Sequence, residues 1–383
     1  MKINEIRAHP LSVEHRRVCW TAHEAFRRQQ VVLVEVRTDA GIIGIGEIAG
    51  GAQKGICELI ATFSDVIRGM DPRVHDEVWR RLMSLTSPRP GGIGGWDGLP
   101  APLPRGQRSD IMAAIGGIDI ALWDIKGKAA GQPVFRLLGG TRAKVFSYAT
   151  GGFYFEGAAL DAHAEEFSRF AADGYRAVKL KTGALSLDDE LVRIRAVRDA
   201  VGPDVLLMLD MNAPYDVNGC IAFAQAVAPF DIFWLEEPLH WYLQPADYVR
   251  LAAASPIPLA HGERELHRYT MRDFIDSGAI RYAQFDSTRA AGFTESLRIA
   301  YYAEQKGVLV SPHSAPHIHA HLVAALGDAA FAVESFGLQD WRHPIQDAVY
   351  RGGIETRDGM VCMSEAPGFG VEIDWKQVEA LRA

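Results

Sequence analysis

The chain changes its apolar rhythm near residue 145. Ahead of that point, Val31–Gly50, VVLVEVRTDAGIIGIGEIAG, alternates apolar and polar positions, and Asp39, Ala40 and Gly41 supply turn residues midway. This stretch predicts a β-hairpin. Ser109–Gly131, SDIMAAIGGIDIALWDIKGKAAG, has helical spacing instead. Ile111, Ile115, Ile118, Leu122 and Ile125 fall near one face, with Ser109 as N-cap and Gly131 as stop. The stretch between them, Ser87–Arg108, is rich in glycine and proline and reads as a disordered connection or a functional loop. From Val145 on, short apolar runs alternate with amphipathic helical stretches. The runs are VFSYATGG (Val145), YRAVKLKTG (Tyr175), VLLMLDMN (Val205), DIFWLEEP (Asp231), IPLAHGE (Ile257), YAQFDS (Tyr282), VLVSPHS (Val308) and FAVESF (Phe331). Eight strand–helix units imply parallel pairing and an α/β fold with a (β/α)8-type barrel. In such a barrel the active site belongs at the C-terminal ends of the strands. The last residues have hairpin character and are expected to return to the N-terminal part.

The polar residues at those strand ends are therefore the candidates for chemistry. They are Lys179 and Lys181, Asp210 and Asn212, Glu236 and Glu237, His261 and Glu263, Asp286, His313 and Glu334. A buried charge without a partner is costly, so a set converging on one mouth asks for an explanation. Asp210, Glu236 and Glu263 occupy equivalent places on consecutive strands. Three carboxylates from adjacent strands make a hard, oxygen-rich site that suits Mg²⁺. The alternative is that each caps the helix that follows. Lys179 and Lys181 are two apart on a strand and share a face. Like charge and desolvation lower a lysine pKa, so one is read as a general base and the other as its tuner. The alternative is a lysine pair snorkelling at a strand end. Asp286 and His313 end neighbouring strands, and a carboxylate beside an imidazole sets its tautomer; the alternative is a core histidine with a chance acidic neighbour.

Composition narrows the field. The formal net charge is −8, which argues against an electrostatic nucleic-acid binder. The four cysteines, Cys19, Cys57, Cys220 and Cys362, are scattered without a C-x-x-C, which indicates neither a disulfide framework nor a zinc site. The N-terminus, MKINEIRAHP, lacks the apolar run of a signal peptide, and no stretch approaches the roughly 20 apolar residues of a membrane span. A cytoplasmic protein without membrane partners is the expectation. HSAPHIHAH (His313 to His321) looks like a zinc tract but lacks H-E-x-x-H, and the glycine strings spell no nucleotide-binding fingerprint.

VKLKTG, LDMN, WLEEP, HGE, FDS and SPHS, in that order, with IDIALWDIKGKAAGQPVFRLLGG (Ile118 to Gly140) before them and PGFGVEID (Pro367 to Asp374) after them, resemble the enolase superfamily and, within it, the mandelate racemase subgroup. The resemblance covers essentially the whole chain. It implies an α+β capping domain built from residues 1–130 and from a C-terminal segment, residues 346–383, around a barrel domain of residues 131–345. It implies Mg²⁺ on Asp210, Glu236 and Glu263. Lys181 would be one acid/base with Lys179 tuning it, and His313 with Asp286 the acid/base on the opposite substrate face. Glu334 would hydrogen-bond the substrate carboxylate or enolate oxygen, and Asn212 would contact substrate or support the site. Capping loops around His23 and Trp96 would close the mouth, with arginines available at Arg27, Arg28, Arg89, Arg105 and Arg108. The activity implied is Mg²⁺-dependent abstraction of the proton alpha to a carboxylate, with dehydration of a sugar acid to a 2-keto-3-deoxy acid favoured. Racemisation or epimerisation is the alternative, and lactone cycloisomerisation the third reading. The small-molecule partner would be a carboxylate, and the assembly a homo-oligomer, from dimer to octamer. A Schiff-base aldolase or a non-catalytic binding barrel would not need the three aligned carboxylates.

Overall fold

The computed structural model describes residues 1–88, 98–337 and 343–383. The period-two stretch forms the hairpin expected of it. β1 (Ile3–Trp20), β2 (Ala25–Thr38) and β3 (Ile43–Ala49) make an antiparallel sheet, and Gly41 turns the β2–β3 connection at φ 77°. Two helices cover it, α1 (Gln53–Ile67) and α3 (Arg108–Ala130), and α2 (His75–Ser84) packs against both. α3 lies close against β3 because β3 carries glycines there. A Cβ on Gly46 would stand 1.9 Å from the Gly117 carbonyl oxygen. Two sequence expectations about α3 need correction. Ser109 lies inside the helix and the N-cap is Gln107, without a side-chain cap, whereas Gly131 does end it in the left-handed conformation. The helix is also buried on most of its circumference rather than along one stripe, since it packs on the capping sheet on one side and the barrel on the other.

A short helix, α4 (Val134–Leu137), leads into the repeats. The strands are β4 (Lys144–Gly151), β5 (Ala177–Lys181), β6 (Leu206–Asp210), β7 (Ile232–Glu236), β8 (Leu259–His261), β9 (Ile280–Ala283), β10 (Leu309–Val310) and β11 (Val333–Ser335). Between them run α5 (Ala164–Ala172), α6 (Leu187–Val201), α7 (Val217–Val227), α8 (Pro245–Ala254), α9 (Arg268–Asp276), α10 (Gly292–Gln305) and α11 (Pro316–Leu326). Each strand from β4 to β10 pairs in parallel with the next, and β11 pairs in parallel with β4. A parallel bridge from Val310 to Ala330 ties the approach to β11 back to β10. This is the eight-stranded (β/α) arrangement read from the sequence.

Side-chain alternation sorts each strand. Val178, Leu180, Leu207, Leu209, Leu235 and Leu259 point to the helices and form the largest apolar cluster. Ala177, Met208, Trp234, Ala260 and Tyr282 point inward and, with Tyr148, fill the lower interior. The tail divides. β13 (Ile354–Arg357) and β14 (Met360–Met363) form a hairpin whose second strand pairs antiparallel with β4 at the base of the barrel. β12 (Tyr350–Gly352) pairs with β15 (Val371–Ile373). α12 (Pro344–Val349) and α13 (Trp375–Ala380) send Ile345, Val349 and Val378 onto the capping sheet beside Leu11, Val31 and Leu33.

Candidate active site

Register places the strand-end residues side by side. Lys181 pairs across with Asp210, and Asp210 with Glu236. Glu263 follows β8 by two residues. One oxygen of each of Asp210, Glu236 and Glu263 lies within 4.8 Å of the other two, and all three side chains are buried. None of them caps a helix: the N-caps of α7, α8 and α9 are Asp216, Gln244 and His267. The helix-cap alternative therefore falls.

The surrounding charges balance the cluster. The Lys179 ammonium sits 2.5 Å from Glu236 Oε1, 2.9 Å from Glu334 Oε1 and 3.4 Å from Asp210 Oδ2. Lys181 donates to Asp210 Oδ2 and, at 3.2 Å, to Asn212 Oδ1. Burial alone would discharge Lys179, but Glu236, Glu334 and Asp210 outweigh it and hold its pKa well above the ordinary value. The carboxylates of the mouth thus act on this lysine opposite to burial and with the greater effect. Burial and Asp210 push Glu236 far up. Burial works the same way on Glu263, yet His313, Arg289 and Arg264 bring it well below the usual range.

His313 closes the other side. Its Nδ1–H donates to Asp286 Oδ2 at 2.9 Å, which leaves Nε2 facing the mouth, 3.4 Å from Glu263 Oε2. Burial raises Asp286, but the His313 hydrogen bond and charge, with Arg289, lower it to about 2. It therefore remains a carboxylate that orients the ring. Glu334 accepts from Thr150 Oγ1 at 2.6 Å and from the Ser314 N–H at 2.7 Å.

These groups floor a cavity of about 540 Å³. Lys181, Asn212, Glu263, His313 and Glu334 line it from the barrel, while β2, Gly50, Gly51, His343 and Gln346 roof it. Arg27 and Arg28 line this cavity as well. His23 does not: it lines an adjoining cavity of about 730 Å³, with its ring edge-on to Trp241 at 4.2 Å. Arg105 and Arg108 line a third cavity beside Trp79 and Tyr269. Arg89 and Trp96 lie outside the described residues.

Sequence reading missed Arg264 and Arg289. Arg289 donates to Glu263 Oε1 at 3.1 Å, and Arg264 to Glu237 Oε2 at 3.0 Å. Both line the 540 Å³ and the 730 Å³ cavities. The available signal was position: Arg264 directly follows Glu263, and Arg289 comes three residues after Asp286. Gln284, which donates to Glu236 Oε2 at 2.7 Å, was missed too.

The histidine tract splits among separate partners. His317 stands 3.4 Å from Glu47, and His319 Nε2 accepts the Ser287 N–H at 3.1 Å. His321 Nδ1 accepts the Phe135 N–H at 3.1 Å. The carboxylate triad is the only metal-competent cluster among the described residues. Its donors are all oxygen, and Glu263 Oε2 is buried without a hydrogen-bond partner among the described residues. Both features fit Mg²⁺.

Comparison with known proteins agrees on both halves of the chain. The model of the mandelate racemase / muconate lactonizing enzyme N-terminal domain matches residues 6–139, and that of the enolase C-terminal domain-like family matches residues 162–378. D-galactarolactone cycloisomerase of Agrobacterium fabrum is 36% identical over 387 aligned positions, covering 98% of this chain and 97% of its own. L-talarate/galactarate dehydratase of Salmonella typhimurium is 30% identical, with coverage of 89% and 79%. The crystal structure of the latter, liganded with Mg and L-lyxarohydroxamate, matches with a TM-score of 0.86 at 27% identity, covering 100% of this chain and 93% of that one.

Proposed function

Since the chain belongs to the mandelate racemase / muconate lactonizing enzyme family, we propose that it removes the proton alpha to the carboxylate of a sugar acid and expels the β-hydroxyl as water. The product is an enol that becomes a 2-keto-3-deoxy acid. One observation carries the reading. Going round the barrel, Lys181 on β5 comes before the three carboxylate strands and His313 comes after them, so two acid/base groups flank one anionic cluster. Bound at the triad, Mg²⁺ supplies Lewis-acid stabilisation of the negative charge that develops on the substrate carboxylate.

Lys181, in its neutral form, takes the α-proton, and the C–H electrons move toward the carboxylate. The β-carbon–oxygen bond then breaks, and the departing oxygen takes its proton from His313 Nε2. Asp286 holds that ring in place throughout. Lys179 stays cationic between Glu236 and Glu334, which supports a role in balancing the charge of the site. Residues of β2 roof the cavity, and water kept out there would strengthen each of these interactions.

A second reading is lactone cycloisomerisation, favoured by the 36% identity to the Agrobacterium cycloisomerase. It needs the same first step and differs in the group that leaves, a ring oxygen rather than hydroxide. A screen of aldonic and aldaric acids and their lactones decides between them, run with Mg²⁺ and with EDTA. Mg²⁺-dependent 2-keto acid from an open-chain acid supports dehydration; ring opening of a lactone with no turnover of open-chain acids replaces it with cycloisomerisation. No reaction, and no exchange of α-protons with D₂O, refutes both. The same reading takes residues 1–130 with residues 346–383 as the cap, and places a homo-oligomer in the cytoplasm in sugar-acid catabolism. The free thiols of Cys57, Cys220 and Cys362 support the reducing location, and no helix among the described residues is long and apolar enough to cross a membrane.

A further inference from the structure

Behind the Lys181 strand lies a buried charged cluster that makes no contact with the carboxylate triad. Glu190 and Arg193 stand three residues apart on α6 and are 0% and 2% exposed. Glu190 Oε1 accepts three successive N–H groups of the turn after Lys181: Gly183 at 2.8 Å, Ala184 at 3.1 Å and Leu185 at 3.2 Å. It also accepts the Tyr154 hydroxyl. Glu190 Oε2 takes an Arg193 N–H at 2.7 Å. The same guanidinium donates to the Lys181 carbonyl at 3.1 Å and the Gly152 carbonyl at 2.8 Å, and lies 4.0 Å from the centre of the Tyr154 ring. Tyr154 then exchanges two backbone hydrogen bonds with Trp20, each 3.0 Å, at the end of β1. The next residue, Thr21, lines the catalytic cavity.

A buried ion pair is poor evidence for stability, because desolvation offsets the attraction and apolar replacements are often neutral. Its directionality is what apolar packing lacks. Charge-assisted bonds from a planar fork fix both distance and angle. Every backbone group held here belongs to the ends of β4 and β5 or to the turn leaving Lys181. Gly183 adopts φ 95°, a conformation with little intrinsic preference to stay put.

We infer that Glu190, Arg193 and Tyr154 are positioning residues for Lys181, fixing the line along which its amine meets the α-proton and tying that line to the seated end of β1. The inference rests on the reading of Lys181 as the acid/base of its face of the substrate.

The two-faced site supplies a test that a merely structural role would not pass. The probe is the acid that reacts fastest in the screen above, paired with its α-epimer, so that one compound offers its α-proton to Lys181 and the other to His313. Exchange in D₂O is followed by NMR in the wild type, Lys181→Ala, Glu190→Gln and Arg193→Lys, alongside Mg²⁺ affinity and the unfolding midpoint. Glu190→Gln turns an amide toward Arg193, and Arg193→Lys keeps the charge but loses the fork. For both, exchange at the Lys181 face should fall about a hundredfold, as for an Ångström-scale misplacement. Exchange at the His313 face, KM and Mg²⁺ affinity should hold. Equal loss at both faces, or loss that only follows the midpoint, overturns the inference. So does wild-type exchange in both variants when Lys181→Ala abolishes the Lys181 face, and that result leaves the proposed function standing. Intact exchange in Lys181→Ala, or no acid that reacts at all, refutes the reading of the site and the inference together. Where Glu190→Gln does not fold, Tyr154→Phe decides by the same face-selective loss, since it removes one hydroxyl and keeps the ring.

Discussion

Along a single strand of the barrel the chemistry inverts. Trp234 and Glu236 are two residues apart on β7, share the interior face and are both buried. Trp234 belongs to the floor, where its ring stands 5.5 Å from Tyr148, 4.9 Å from Tyr282 and 5.5 Å from Phe331. Glu236 belongs to the mouth, between Lys179 and Gln284. The floor gains from area removed from water and tolerates even an unpartnered Trp234 N–H among the described residues. The mouth gains little that way; its members are held by one another's charges, and removing one leaves the others uncompensated. A barrel therefore places stability and reactivity on the same side-chain face and separates them by position along the strand.

Substitutions at the two ends should separate the same way. The largest effect belongs to the cluster itself: Glu236→Gln removes a third of the carboxylate set, and activity should drop to background with Mg²⁺ affinity lost alongside it, measured by calorimetry. Activity retained at ordinary Mg²⁺ would show that the three carboxylates are not acting as one site. Lys181→Ala comes next, with kcat/KM lower by about 10²–10⁴-fold, the range for a positioned acid/base. Its Mg²⁺ binding should survive, which distinguishes it from the carboxylate variant. At the floor, Trp234→Ala should cost about 3–5 kcal/mol of stability through the cavity it leaves. Its kcat per folded molecule should stay near the wild type. A floor variant that loses activity without losing stability would break the separation.

The mouth was legible because its residues sit at fixed strand positions. Once VKLKTG, LDMN, WLEEP and HGE are read as consecutive parallel strands, alternation and register put Lys181, Asp210, Glu236 and Glu263 on one rim, and the structure brings them together. The floor was legible as apolar runs but not as an aromatic cluster, because which rings meet depends on the curvature of the barrel. What was not legible sits on loops and at helix ends. Arg264 and Arg289 reach the site only through the conformations of the loops that follow β8 and β9. His23, taken as a mouth residue, turns instead to Trp241, because that loop offers it an aromatic edge. The sequence puts Lys179 on the face of Lys181 but does not show how close Glu334 comes to it, since Glu334 arrives from a strand more than 150 residues away.

The smallest prediction asks whether buried titratable groups without an ion-pair partner among the described residues stay neutral away from the mouth. Asp119 and His321 are fully buried outside it, Asp119 on α3 and His321 on α11. Burial pushes Asp119 up to about 7, although it accepts the Thr294 N–H and hydroxyl. Burial pushes His321 down to about 3. The signs are opposite. A carboxyl with a raised folded pKa favours the folded state below the unfolded value and loses that contribution as pH rises toward 7. An imidazole with a depressed folded pKa contributes fully above its unfolded value and loses the contribution as pH falls toward 3. In the shared window, between the unfolded aspartate value near 4 and the unfolded histidine value near 6.5, the two cancel in the wild type. Single variants expose each one. Relative to the wild type, Asp119→Asn should gain a stability that rises with pH there, at most about 1.4 kcal/mol per pH unit for one proton. His321→Gln should show the opposite slope. Urea unfolding at several pH values reads both. If neither variant changes the slope, these sites stay solvated or ionised as the mouth does, and the division between charge-paired clusters and unpaired, neutral buried groups fails.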